Sequence, residues 1–252
     1  MTASSLTPAL PALPPARRYF LSSELRASPE STSPEAQAVN DALRGKILAP
    51  DFSCVAAKAS VNTSCYALGL YGDLGSPEAA AALRTDLLQF THDQDALDSG
   101  FTSMIAVFRD PPMSEHAFEE RLWRQLRALH ALDPQPYSPE VSADPANERF
   151  GFSFGGRGFF VIGMHPGSSR VARTLPFAAL VFNAHRQFQA LRDTDRFGRL
   201  QQTIRRRELA LQGSLNPNLA DHGEASEARQ YSGRAVEPDW QAPFPRCPFG
   251  HG

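Results

Sequence analysis

Most of the signals that place a chain quickly are missing here. There are only three cysteines, Cys54, Cys65 and Cys247. They are odd in number and widely spaced, which argues against a disulfide framework and fits a reducing cytoplasm. Neither charge sign dominates, with 25 Lys and Arg against 27 Asp and Glu and a net charge of -2. Nucleic acid and an anionic membrane surface therefore have no global electrostatic case as partners. No apolar run approaches the roughly 18 residues of a membrane span. The N-terminus has no basic stretch followed by an apolar one, so it does not read as a secretory signal. The spacings His-x-x-x-His, Cys-x-x-Cys and Glu-x-x-His are absent, which counts against zinc and bundled di-iron sites. Nucleotide fingerprints of the Walker or dinucleotide type are absent too. No internal repeat points to a solenoid or propeller. A Gly-x-Ser-x-Gly nucleophile elbow is not expected, although a Ser-His-Asp triad stays open.

What is present is a globular composition. The 252 residues are 42% hydrophobic and 21% charged, enough for one domain with a substantial core. Residues 1–33, rich in Pro, Ser and Ala, read as a mobile or loosely docked arm, and residues 34–252 as the functional domain. Ser33, Ser76 and Ser114 each precede an apolar-periodic stretch and are expected to cap helices ending near Lys46, Thr91 and Leu132. The segment from Cys54 starts helical and turns strand-like near Ser64–Tyr71. Strands are expected over Gly100–Phe108, Phe150–Phe154 and Gly158–Gly163, the last two joined by a Gly-Gly-Arg hairpin turn. Asp133–Asn147 reads as a surface loop. Ala178–Asn183 fits either a strand or a helix start, with helix from Ala184 to Leu191 and again around Arg199–Leu211. Asn216–Gly252 is turn-rich. The sum is an α+β fold: a single domain with a mainly antiparallel sheet and helices packed against it.

The densest cluster of aromatics and glycines runs from Phe150 to Phe188. Its apolar strand, around Phe159, ends in Met164-His165-Pro166-Gly167-Ser168-Ser169-Arg170. A loop on a rigid scaffold is a common home for functional groups. His165 offers a ring nitrogen for a metal, a haem iron or a proton, or is simply a loop histidine. Arg170 and Arg173 suit a carboxylate or a haem propionate, or are ordinary charges. The Ser-Ser-Arg turn also admits a phosphate on its backbone amides. Cys54 gains thiolate character if it starts a helix, and otherwise is a small buried hydrophobe. Cys247 is a second thiolate candidate, in a tail that Trp240, Phe244 and Phe249 could dock. Cys65 reads as core. His185 reads as a packed or capping residue. Asp221, Glu224 and Glu227 either bind a cation or serve as turn and cap residues.

The phrases FSFGGRGFFVIGMHPGSSRVAR, LVFNAHRQF and NPNLADHGEASEARQYSGR, in that order behind a cysteine near residue 54, resemble the YqcI/YcgG family over roughly Pro50 to Phe249. That family includes haem-dependent N-hydroxylases acting on arginine in D-cycloserine biosynthesis and on a cyclic guanidine in guanitoxin biosynthesis. The resemblance implies a b-type haem, O2 as co-substrate and electrons from an external reductase or ferredoxin. It also implies hydroxylation of a nitrogen of arginine or a related guanidine or amine. It does not say which residue ligates the iron. Cys54 is preferred, with His165 as the main alternative and Cys247 also open. Phe159, Arg170 and Arg173 would cradle the haem, and Asp221, Glu224 and Glu227 would anchor the cation. The alternatives are a non-catalytic haem-binding or haem-sensing protein, and a haem-free enzyme with His165 as general base.

Overall fold

The computed structural model describes residues 17–97, 101–187, 196–219 and 225–245. Its centre is a six-stranded sheet in the order β1-β2-β3-β6-β5-β4. The strands are β1 (Tyr19–Leu21), β2 (Tyr66–Tyr71), β3 (Ser103–Phe108), β4 (Phe152–Phe154), β5 (Arg157–Met164) and β6 (Ala178–Ala184). Only β2 and β3 run parallel, and every other neighbouring pair is antiparallel. The expected α+β domain with a mainly antiparallel sheet is what the chain forms. The helices are α1 (Ser22–Ala27), α2 (Pro34–Leu48), α3 (Val55–Asn62), α4 (Pro77–Ala96), α5 (Glu115–Ala131) and α6 (Arg196–Gln212).

Local chemistry sets most of these boundaries. The hydroxyls of Ser33, Ser76 and Ser114 accept from the amides of Ala36, Ala79 and Ala117, as N-caps do. Helix α4 outruns its expected end at Thr91 because tertiary bonds fix its last turns. Tyr19 donates to Asp93, Gln94 bonds Thr102, and Arg157 and Arg186 both reach Asp95. The β4–β5 turn is Gly155-Gly156, with φ of 61° and 73°, left-handed values that glycine adopts without a steric penalty. The alternative left open at Ala178–Asn183 resolves as strand. β6 lies between β3 and β5, and its side chains alternate between the two cores.

Of the arm expected to be mobile or loosely docked, the part from residue 17 onward packs on the domain. Tyr19–Leu21 adds an edge strand antiparallel to β2. Phe20 and Leu25 sink into the core, and Arg18 pairs with Asp86. Residues 1–16 lie outside the described part. At the other end, Phe244 packs against Trp123, Phe150 and Phe152, and Trp240 against Trp123. The tail is thus docked as far as residue 245, while Phe249 lies outside the described residues.

Period-two alternation gives the sheet two covered faces. One carries Met104, Ala106, Phe159, Val161, Leu180 and Phe182 against α4, α5 and the C-terminal segment. The other carries Leu68, Ile105, Val107, Met164 and Ala179 against α2 and α3. No described helix is long and apolar enough to cross a membrane.

Candidate functional site

The second face is not completely filled. Between β3, β5 and β6 on one side and α3 and α6 on the other lies a cavity of about 290 Å³. That sits at the lower edge of the roughly 300–1,000 Å³ usual for small-molecule and cofactor sites. Ile105, Phe160, Ile162, Val181, Leu200 and Ile204 give it apolar walls, and Cys54, Arg173, Glu208 and Glu227 add polar groups.

Cys54 is the N-cap of α3, with extended backbone angles of -79° and 106°. Its Sγ accepts from the Ala57 amide at 3.5 Å. The helix-start placement is as expected, but the balance of forces is not. Burial pushes the thiol pKa up, and the amides of Ala57 and Ala56 and the charge of Arg173 offset this only in part. Bound metal would reverse that balance, because a coordinating thiol is deprotonated outright. No histidine lines the cavity among the described residues, and Met164 adds only a weaker sulfur ligand to Cys54.

Arg173 is held by main-chain carbonyls, donating to Gly163 O at 3.1 Å and Gln230 O at 3.0 Å. Desolvation lowers its pKa to about 10, so it remains a cation at neutral pH. A half-buried guanidinium bonded to carbonyls rather than to a carboxylate suits an anionic ligand group. Glu227 stands at the start of a 3-10 turn capped by Ser226, and its Oε2 meets His185 Nε2 at 2.9 Å.

Several expected site residues lie elsewhere. His165 has the parity of Phe159 and Val161, so it turns to the opposite sheet face. Its ring is 1% exposed and stacks on Phe118 with centroids 4.2 Å apart. Neither ring nitrogen has a partner among the described residues, and burial lowers its pKa. It does not line this cavity. Phe159 is likewise on the far face, edge-on to Phe182, and its neighbour Phe160 takes the cavity position. Arg170 is spent internally, on Glu208 at 2.6 Å and on Ser214 O at 2.7 Å. The Ser168-Ser169-Arg170 turn is taken as well, because Ser169 N and Oγ both donate to Glu115 Oε1. That turn therefore receives a carboxylate of its own chain rather than a phosphate.

Cys65 is half-buried beside β2 rather than in the core, with its thiol on Thr63 O. Gly151-Phe152-Ser153-Phe154-Gly155 does spell Gly-x-Ser-x-Gly, against expectation. Ser153 nevertheless lies within β4, fully buried, and accepts from Ser138 N, so it is no strand-to-helix elbow. Asp221, Glu224 and Cys247 lie outside the described residues. The approach of α6 to the cavity, the His185–Glu227 pair and the wall position of Asn183 went unread. A helical period around Arg199–Leu211 shows an apolar face but not what that face covers.

The lining residues are of the kinds a haem site uses, around a cavity of about 290 Å³. They offer a soft ligand at a helix start, a cation for a carboxylate and an aromatic-aliphatic wall. Among the described residues no cluster of three or more His, Cys, Asp or Glu side chains is arranged to hold a bare metal ion. The chain is 28% identical to the uncharacterized protein YcgG of Bacillus subtilis, over 86% of this chain and 89% of that one. It is 26% identical to the uncharacterized protein YqcI of the same organism, over 79% and 80%. No solved structure matches it significantly. The YqcI/YcgG family pattern spans residues 43–245, and the chain belongs to that family.

Proposed function

We propose that the protein is a haem-dependent monooxygenase. It adds an oxygen atom to a nitrogen of arginine or a related guanidine or amine, using O2 and electrons from an external reductase or ferredoxin. The observation that carries this reading is the placement of Cys54 at the N-terminus of α3, in the wall of an apolar cavity that also presents Arg173 and Glu227. Cys54 would ligate the iron, Arg173 would pair with a propionate, and Phe160, Ile162 and Ile204 would line the macrocycle. Haem, when bound, supplies the activation of O2 that amino-acid side chains lack.

The remaining work falls to the protein's own groups. Apolar walls exclude water and strengthen every charge interaction inside them. Glu227 offers a carboxylate to the substrate cation, which must be desolvated and paired to enter an apolar site. The α3 amides favour negative charge on sulfur. A reducing cytoplasm is the compartment that suits the free Cys54 and Cys65.

The test is turnover. Haem-loaded protein is incubated with O2, a reducing system and a panel of guanidines and amines, and products are read by mass spectrometry. Gain of one oxygen atom on a nitrogen supports the reading. Haem uptake with no substrate-dependent O2 consumption across the panel makes the protein a haem carrier or sensor instead.

A further inference from the structure

The polar groups of the cavity wall differ in what already holds them. Its carboxylates, among the described residues, are Glu148, Glu208 and Glu227. Glu148 is exposed. Glu208 is neutralised by Arg170 at 2.6 Å. Glu227 is shielded, with its side chain 16% exposed, and its partner is not a guanidinium but the His185 ring at 2.9 Å. An imidazole donating from Nε2 engages Oε2 alone and leaves the other oxygen of the carboxylate for a ligand. This arrangement orients the carboxylate through one of its two oxygens.

The ring itself is held in a narrow slot. His185 follows β6 and packs over the β4–β5 hairpin. A Cβ on Gly151 would stand 2.7 Å from Val141 Cγ1 and 3.0 Å from His185 Nε2, and one on Gly158 would stand 2.9 Å from Val141 Cγ1 and 3.3 Å from His185 Cβ. Only glycine at these positions lets Val141 and His185 both pack here without a neighbour shifting. The glycines of the GFSFGGRG run thus divide their work: Gly155 and Gly156 make the turn, while Gly151 and Gly158 make room for Val141 and His185. Asn183, two residues earlier on β6, is tied to Ser103 Oγ and Phe160 O, which fixes the strand that carries His185.

We propose that His185 is a positioning residue, fixing the orientation of Glu227 so that Glu227 recognises the cationic nitrogen of the ligand. This rests on the amine or guanidine reading above, but its test does not require turnover. The probes are benzamidinium and its neutral isostere benzamide, whose affinities for the purified full chain, with and without haem, are measured by calorimetry. Wild type is expected to prefer the cation by tenfold or more. Glu227→Gln should bring the ratio close to one while leaving benzamide affinity in place. His185→Gln, whose amide can reach the Nε2 position, should keep the preference within a few-fold. His185→Asn, which stops short, should lose most of it.

No cation preference in wild type, or a preference that survives Glu227→Gln or His185→Asn, overturns the proposal. Loss of the haem band in His185→Asn but not in Cys54→Ser would make His185 the iron ligand and also overturn it. Failure of the N-hydroxylase reading shows instead as absent haem uptake or turnover, with the benzamidinium ratio unchanged.

Discussion

Replacing Arg170 separates a structural arginine from a ligand-binding one. Its guanidinium and the Glu208 carboxylate are 2.6 Å apart, with side chains 9% and 10% exposed. Arg170→Ala leaves Glu208 buried against α6 without its counter-charge. Breaking one side of a buried pair costs about 3–5 kcal/mol, set against a total stability of roughly 5–15 kcal/mol for a folded domain. The loss also releases the bonds to Ser214 that tie the end of α6 to the loop after β5. Urea unfolding followed by circular dichroism should show stability lowered by that amount, as a lower midpoint at an unchanged slope. The double variant Arg170→Met with Glu208→Leu removes both charges at once and should recover most of the loss, because the unpaired charge is gone. A single-variant cost below about 1 kcal/mol, the range of exposed pairs, would refute this reading and return Arg170 to the list of ligand-binding groups.

The other predictions can be stated briefly. Arg173→Met should weaken haem binding by about tenfold or more, since a hydrogen bond to a charged group contributes about 1.5–3 kcal/mol; titration of the purified protein with haem reads this. Ile162→Trp should fill the cavity and block haem uptake without unfolding the protein, whereas Phe159→Ala, on the other face, should destabilise by about 3–5 kcal/mol. His165 has a folded pKa lowered by burial, so the unfolded state binds its proton more readily. Stability should therefore fall as pH drops below the ordinary histidine value of about 6.5. His165→Phe should reduce that slope in pH-dependent urea titrations, though not abolish it, because burial also lowers His130.

The sequence showed more of the fold than of the site, and particular residues explain the difference. Ser33, Ser76 and Ser114 announce their helices because a cap is a local bargain between a hydroxyl and an amide three residues on. Gly155-Gly156 announces its hairpin for a similarly local reason. The edge strand Tyr19–Leu21 stayed hidden behind a Pro- and Ala-rich leader, because only pairing with β2 makes it a strand. Site membership is harder to read, because a shift of one residue along a strand changes the face. Phe159 and Phe160 look alike in sequence, yet only Phe160 reaches the cavity. His165 and Arg170 sit in the most suggestive phrase of the chain, and tertiary packing turns the first away and neutralises the second. Cys54 was legible as a helix start, but the cavity it lines is assembled from α6 and β6, far along the chain.

The most direct measurement is the absorption spectrum of haem-loaded protein, reduced under CO, for wild type and Cys54→Ser. Thiolate ligation by Cys54 requires that wild type show the long-wavelength band characteristic of thiolate-haem proteins and that Cys54→Ser lose it. Absence of haem uptake by the wild type, or an identical thiolate band in Cys54→Ser, would contradict the assignment of this cavity as a Cys54-ligated haem site.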